Sequence, residues 1–248
     1  MQVAGWIGSA ETLKKRLDGG PTVAGIMPSG FKRYLRVFSP LSVCSSKEPD
    51  ALELQVPWSL ICEQLGVEFK SNILWERDIV SADARIADFQ EPRLGSLDTD
   101  VPERIGKALQ QHEAEDRSWY FATWIGYGVA EGKQHVWFPS HHHGALEMSV
   151  FERWNEAAAP FAMPLVPSQA GSMTPLAAFG HGVPTDWVPP GQIPMYWWPE
   201  GHDWVLGQAL YGRSVYLACS DAIADEILAT SGIEAIEVSL SDEAEYEE

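Results

Sequence analysis

Four stretches of the chain carry apolar side chains three and four residues apart, the spacing of an amphipathic helix. The clearest begins at Pro57 and ends at Gly66, with apolar residues at relative positions i, i+3, i+4 and i+7. Proline suits the first position of a helix, and glycine suits the position after its end. The other three helices are expected to begin after an N-cap at Ser9, near Pro102 and after an N-cap at Ser220.

Between these helices, runs of aromatic and β-branched residues predict strands. The runs cover residues 31–38, 119–125, 135–138, 196–198, 204–211, 214–219 and 233–238. We expect strands 119–125 and 135–138 to pair as a hairpin across a turn at 129–133. Because strands and helices do not alternate strictly, the sequence predicts an α+β fold with a mixed or antiparallel central sheet and about four flanking helices.

Residues 157–195 depart from this pattern because they are rich in proline, alanine and glycine. Nine of the 17 prolines fall between Pro160 and Pro199. Proline removes a backbone donor and fixes φ, which disfavours a central strand or a long helix. We therefore expect a surface excursion from a single domain spanning residues 1–240, followed by an acidic tail at 241–248. A lid over a site and a flexible insertion are both open readings of the excursion.

The chain has 17 basic and 35 acidic side chains, a formal net charge of −18. Nucleic acid and anionic membrane surfaces attract Lys and Arg, so this excess disfavours both as partners. Residues 134–248 hold two arginines against 16 acids, and ten acids follow Arg213 without a base. This asymmetry predicts either a solubilising surface or a docking surface for a basic protein partner, with Glu234 and Glu237 in the interface.

Compartment signals favour the cytoplasm. The first 20 residues lack the basic-then-apolar order of a secretory signal, and no run of 18 apolar residues occurs. Cys44, Cys62 and Cys219 are scattered and form no CxxC pair, which suits buried reduced thiols better than a disulfide framework.

Common nucleotide-binding and hydrolase motifs are absent from the sequence, and one histidine cluster is the main candidate for chemistry. His141 and His143 would point to one face of a strand, with Glu147 four residues further on and His202 as a fourth ligand. Two imidazoles and a carboxylate suit a divalent transition metal. The HxHxxxE spacing resembles the first motif of cupin barrels, although the glycines that flank that motif are missing. A metal-free, exposed histidine-rich turn is the competing interpretation.

Tryptophan is unusually frequent, with 11 residues against nine Phe and seven Tyr. An aromatic core accounts for most of them. Indoles are also common anchors in protein interfaces, since one edge can stay hydrated while the ring is buried. We assign two or three members of one cluster to a binding surface, and the cluster comprises Trp187, Trp197, Trp198 and Trp204.

Several segments together resemble a family of uncharacterised bacterial proteins, most of them actinobacterial. The segments are FKRYLRVFSP at 31–40, EPRLGSL at 91–97, FATWIGYG at 121–128, WWP at 197–199 and GIEAIEV at 232–238. The resemblance covers most of the chain outside the histidine-rich and proline-rich parts. It implies a single domain and no catalytic residues.

Two functions follow as hypotheses from these observations. The first is a non-enzymatic acidic binding protein without a cofactor, of the immunity or inhibitor type, that neutralises a basic protein partner; the immunity class is an analogy with small acidic proteins of this kind. The second is a metal-dependent enzyme that uses His141, His143, Glu147 and His202. The first is favoured because the charge asymmetry and the indole cluster both point to binding, and catalytic signatures are missing.

Overall fold

The computed structural model describes residues 5–44, 53–83, 89–92, 94, 97, 101–112, 119–124, 135–139, 146–152, 194–210 and 212–245. The helices in these ranges are α1 (Gly5–Lys14), α2 (Trp58–Leu65), α3 (Val101–Gln110) and α4 (Asp221–Ala229). The strands are β1 (Arg33–Phe38), β2 (Leu41–Cys44), β3 (Glu53–Val56), β4 (Phe89–Gln90), β5 (Trp119–Trp124), β6 (His135–Phe138), β7 (Leu146–Glu152), β8 (Tyr196–Pro199), β9 (Val205–Gly207), β10 (Ser214–Cys219) and β11 (Glu234–Glu237). A 3₁₀ turn at Val23–Gly25 and a π-helical segment at Trp75–Val80 complete the elements.

The strands form two sheets. The larger has eight strands in the order β11-β1-β10-β9-β8-β5-β7-β6, and the smaller has three in the order β3-β2-β4. Every described strand pair is antiparallel. The predicted α+β fold with an antiparallel central sheet is therefore confirmed.

Both faces of the large sheet are covered, which is clearest at its central strand β10. Val215 and Leu217 pack in the cluster that contains α3 and α4, whereas Tyr216 and Ala218 pack in the cluster that contains α1. Successive residues of a strand point to opposite faces. A strand buried on both faces is a continuous apolar run, and all six residues of β10 are buried.

A third apolar cluster lies where the small sheet meets α2 and the π-helical segment. Its buried members include Phe38 at the end of β1, Leu41 at the start of β2, Trp58 and Ile61 in α2, and Ile79. The Phe38 ring lies 5.3 Å from the Trp58 ring, measured between centroids. The chain therefore passes from the large sheet to the small one without leaving the apolar interior.

The predicted hairpin between residues 119–125 and 135–138 is wrong. Strand β7 lies between β5 and β6 and pairs with both, in registers that include Thr123↔Ser149 and Trp137↔Glu147. The sequence pattern favours the nearest strand along the chain. Strand β7, which is longer and lies further along the chain, instead hydrogen-bonds to both β5 and β6 and pairs the backbone groups of both.

Two further predictions concern the N-cap at Ser9 and the proline-rich excursion at 157–195. Helix α1 begins at Gly5, so Ser9 lies inside it and is not its N-cap. The Ser9 hydroxyl instead accepts a hydrogen bond of 2.9 Å from Trp198 Nε1. Of the proline-rich excursion predicted at 157–195, only Pro194 and Met195 lie within the described residues, and both are buried.

The segment 240–245, which we name the C-terminal strap, is folded against the domain. The predicted solvated tail at 241–248 is therefore wrong for residues 241–245, and 246–248 lie outside the described residues. Glu243 forms a bridge with Thr22, and the Ala244 amide donates to the Pro21 carbonyl over 3.1 Å. Glu245 is only 3% exposed. The domain thus extends at least to this residue.

A pair of glycine substitutions tests the local basis of the helices. Gly66 ends α2 with φ of 68°, in the left-handed region, so Gly66→Ala is expected to lower the free energy of unfolding by about 1 kcal/mol. Gly8 is exposed within α1, and a Cβ there would meet no described atom within 4 Å. Gly8→Ala is therefore expected to raise the free energy of unfolding by about 0.4–1 kcal/mol. Urea unfolding shows whether each variant is more or less stable than wild type. A stabilising Gly66→Ala would contradict the left-handed C-cap at Gly66.

Candidate functional site

Glu234, predicted to contact a partner, caps helix α2. Its two carboxylate oxygens accept the Trp58 amide over 2.5 Å and the Ser59 amide over 2.8 Å. The helix needs such a cap because Pro57, at the N-cap position, has no side-chain acceptor. The negative charge also lies at the positive end of the helix dipole. Glu234 therefore has a structural role as the cap of α2.

Removal of this cap is expected to be measurable. Glu234→Ala leaves two amides of the first turn of α2 without their acceptor and should lower the free energy of unfolding by about 0.5–2 kcal/mol. Glu63→Ala, at an exposed position of the same helix, changes the net charge equally and should stay within about 0.5 kcal/mol of wild type. Chemical denaturation of the two variants gives the comparison, and equal effects would show that Glu234 does not act as a cap.

Glu237, the other acid predicted to contact a partner, is exposed and forms part of an ion-pair cluster. Both of its carboxylate oxygens accept from the Arg33 guanidinium, each over 3.0 Å. The same guanidinium donates to Asp225 of α4 over 2.6 Å. The hydrogen bonds to the Glu237 and Asp225 carboxylates raise the pKa of Arg33 above its ordinary value. Arg33 thus ties β1 to β11 and α4 and leaves both acids at the surface.

The most buried charges in the described residues form a network around Glu245. Glu245 Oε2 accepts from Ser214 Oγ over 2.6 Å and from the Arg213 amide over 3.0 Å, and it lies 3.2 Å from Arg36 Nη2. Arg36 is fully buried. The Glu245 amide donates to the Tyr216 hydroxyl over 3.0 Å, and burial raises the pKa of that hydroxyl. This network holds the C-terminal strap on the sheet.

Other arginines are also occupied by acids of the same chain. Arg77 lies near Asp78 and Glu243, while Arg213 lies near Glu76 and Glu91. Of the two bases after residue 133, Arg213 is therefore buried and ion-paired, and Arg153 lies outside the described residues. Several acids that are at least partly exposed make no ion pair with any base in the described part of the chain, and they include Glu63, Glu68, Glu200, Asp221 and Glu226.

One helix presents acidic and apolar groups together at the surface. Asp221, Asp225 and Leu228 of α4 are spaced i, i+4 and i+7 and share one exposed stripe, on which the Leu228 side chain is 41% exposed. Glu226, two residues before Leu228, lies on another side of the helix and is half-buried. We name Asp221, Asp225 and Leu228 the α4 face. The opposite side of the helix packs Ile223 and Ile227 into the core.

The predicted indole surface is wrong for three of its four members. Trp197, Trp198 and Trp204 are all 0% exposed, and the Trp197 and Trp204 rings pack edge to face with centroids 5.0 Å apart. They are buried because β8 and β9 lie inside a sheet covered on both faces. Trp187 lies outside the described residues. Trp137 on the edge strand β6 is 52% exposed, and its place in the chain gave no signal that distinguished it from the others.

The alternative metal site has one member whose side chain is described. His141 and His143 lie outside the described residues, and Glu147 is known only by its backbone position on β7 opposite Trp137. His202 Nε2 lies 3.2 Å from Ser9 Oγ and 3.1 Å from the Ser9 carbonyl oxygen, and burial lowers the pKa of this histidine. Among the residues that the structure describes, no group of three His, Cys, Asp or Glu side chains is arranged to hold a metal.

His202 instead joins α1 to the turn between β8 and β9. Its ring stacks on Trp198 at an interplanar angle of 5°, and Trp198 itself donates to the same Ser9 hydroxyl. The residue adopts a left-handed backbone with φ of 58°, which is uncommon outside glycine, and the ring contacts favour that conformation. The neutral imidazole is the form that this half-buried position favours.

The two cysteines with described side chains are buried free thiols. Burial raises the pKa of Cys62 to about 11 and that of Cys219 to about 12. Both thiols are therefore protonated at neutral pH, and a protonated thiol is a poor nucleophile.

No helix in the described ranges is long and apolar enough to cross a membrane. Compared with protein-family models, with curated proteins and with solved structures, the chain has no significant match. The candidate site therefore depends on geometry and charge alone. In the described part of the chain, the α4 face and the Glu245 network are its two principal features.

Proposed function

We propose that the protein is a non-enzymatic acidic binding protein of the immunity or inhibitor type, and that its partner is a basic protein in the cytoplasm. The observation that carries the proposal is the α4 face, where two exposed carboxylates share one helical stripe with an exposed leucine. The formal net charge of −18 supports the same partner chemistry. The resemblance to a bacterial family without established activity is consistent with this proposal and adds no catalytic residue.

Internal ion pairs leave this acidic character intact. Each pair uses a base together with one or two acids, so pairing does not reduce the excess of negative charge. At the α4 face, Arg33 contacts Asp225, while Asp221 forms no ion pair with a described base. A field of one sign speeds the encounter with a partner of opposite sign.

The proposed contact divides into two energetic parts. The carboxylates steer the partner and fix its orientation, and they act mainly on the association rate. Leu228 supplies apolar area that becomes buried on binding and acts mainly on the dissociation rate. A basic surface with an apolar pocket or side chain at its centre is the partner surface that fits this arrangement.

The experiment uses the full chain as bait in an extract of the source cells at low salt, and then measures binding of the captured basic protein after its separate purification. Asp221→Asn with Asp225→Asn removes two charges from the α4 face. Glu63→Gln with Glu68→Gln removes two exposed charges in and just after α2, and serves as the matched control. The α4 variant should lose about 0.4–2 kcal/mol of binding free energy, mostly through slower association at low salt.

The control variant should bind the partner with nearly the wild-type affinity, although its net charge equals that of the α4 variant. Leu228→Ala should speed dissociation with little change in the association rate. Recovery of no basic protein at low salt, or an equal loss in the α4 and control variants, would count against the proposal.

A further inference from the structure

The groups that surround the Glu245 carboxylate have the composition of an anion receptor. Arg36 supplies a guanidinium, Ser214 supplies a hydroxyl, and Arg213 supplies a backbone amide, all aimed at one carboxylate oxygen. Arg36 and Ser214 are less than 2% exposed, in a chain with a formal net charge of −18. Positive groups that converge in a buried place bind anions strongly, since water screens them little.

The receptor keeps its shape without help from Glu245. Arg36 Nη1 donates to the carbonyls of Ser71 and Ile73 over 3.0 and 2.7 Å, and Arg36 Nε donates to Ser214 Oγ over 2.8 Å. The guanidinium carbon also lies 4.6 Å from the centre of the Phe38 ring. Arg36 and Ser214 lie on adjacent interior strands of the large sheet, β1 and β10, paired through the register Phe38↔Ser214 and its neighbours. The donors are thus fixed by the sheet.

Glu245 fills this receptor incompletely. All of its described contacts reach Oε2, whereas Oε1 has no hydrogen-bond partner among the described residues. Arg36 Nη2 is close enough to Oε2 for an ion pair but makes no hydrogen bond with any described group. A freely placed carboxylate can orient both oxygens toward these donors, which a side chain tethered to the strap does not achieve.

The strap that delivers Glu245 is attached at few points. The carbonyls of Leu240 and Asp242 accept from the amides of Ala24 and Val23. The Ala244 amide donates to the Pro21 carbonyl, and the Glu245 amide donates to the Tyr216 hydroxyl. These contacts lie outside the ladder of the large sheet. Withdrawal of the strap therefore leaves the receptor strands paired.

We propose that Arg36, Ser214 and the Arg213 amide form a carboxylate-binding site, which the chain's own Glu245 occupies and which a small free carboxylate takes when the Glu245 side chain is withdrawn. The ligand class is a monocarboxylate with a narrow body, because the space released is that of a glutamate side chain. The site shares no residue with the α4 face, so either proposal can fail alone.

The test is rescue of Glu245→Ala by added anions. Thermal unfolding of wild type, Glu245→Ala and Glu245→Gln is followed in 100 mM sodium formate, acetate, phosphate and chloride at equal ionic strength. Formate and acetate should raise the midpoint of Glu245→Ala by about 3–6 °C relative to chloride, as expected for a ligand present at about ten times its dissociation constant. Wild type and Glu245→Gln should show no difference between the salts, because a side chain fills the site in both.

Several results would overturn the proposal. Equal midpoints of Glu245→Ala in formate and chloride would show that no receptor persists, and a larger effect of phosphate than of formate would assign a different anion. If Glu245→Ala is unfolded in buffer, the same salts are compared in 1 M sucrose, which favours compact states regardless of charge. Failure of formate to promote folding there would overturn it as well. Glu243→Ala, a neighbouring strap variant, should show no preference for formate.

Discussion

Glu245→Ala is expected to lower the free energy of unfolding by about 3–5 kcal/mol, the usual cost of removing one partner from a buried ion pair. The variant leaves the fully buried Arg36 without its carboxylate and deprives Ser214 and the Arg213 amide of their acceptor. Urea unfolding at neutral pH, followed by tryptophan fluorescence, measures the change.

The control for this result is Glu243→Ala in the same strap. Glu243 pairs with Arg77 at the surface, where the side chains are 54% and 43% exposed, so its removal should cost no more than about 1 kcal/mol. Similar losses for both variants would contradict the expected contribution of the buried Glu245 carboxylate.

Trp204→Ala is the second substitution with a large expected effect, a loss of about 3–5 kcal/mol in the free energy of unfolding. Trp204 is 0% exposed and packs edge to face against Trp197, so its removal leaves a large cavity in the cluster beneath α3 and α4. The same denaturation experiment measures it.

Trp137→Ala provides the contrast, since this indole is 52% exposed on the edge strand β6. Its loss should change the free energy of unfolding by no more than about 0.5 kcal/mol. If Trp204→Ala is tolerated as well as Trp137→Ala, the burial of the indole cluster described above is incorrect.

Features controlled by nearby residues could be predicted from the sequence. Helix α2 follows Pro57 and ends at a left-handed Gly66, and α4 follows Ser220, whose hydroxyl accepts the Ile223 amide over 3.4 Å. Such signals act within one helical turn, so they survive whatever tertiary fold surrounds them. The strands rich in aromatic residues could be predicted for the same reason, because their signal also lies within each segment.

Features that depend on distant pairing could not be predicted. Nothing near Glu245 indicates that Arg36, some two hundred residues earlier, leaves a buried positive charge to be matched, so an acid-rich terminal segment is read as solvated. The role of Glu234 as a helix cap could not be predicted either, although a proline at an N-cap indicates that another part of the chain must cap the helix. The position of β7 between β5 and β6 is a further case, because strand order depends on ladders that form across long loops.

The indole cluster shows a limit of composition. Tryptophan is equally suited to a core and to an interface, so counting indoles does not separate the two. The better signal was the unbroken apolar run at Tyr196–Pro199, because a strand without polar alternation is typical of one covered on both faces.

The long separation between Arg36 and Glu245 bears on how the protein matures during translation. The ribosome adds about 5–20 residues per second, so the carboxylate follows its guanidinium by about 10–40 s. Throughout this interval the nascent chain carries a charged group whose native place is dry and whose counter-charge does not yet exist. The strands that pair with β1, namely β10 and β11, are also synthesised only shortly before the strap. Burial of the Arg36–Glu245 pair is therefore expected to be a late event in biosynthesis.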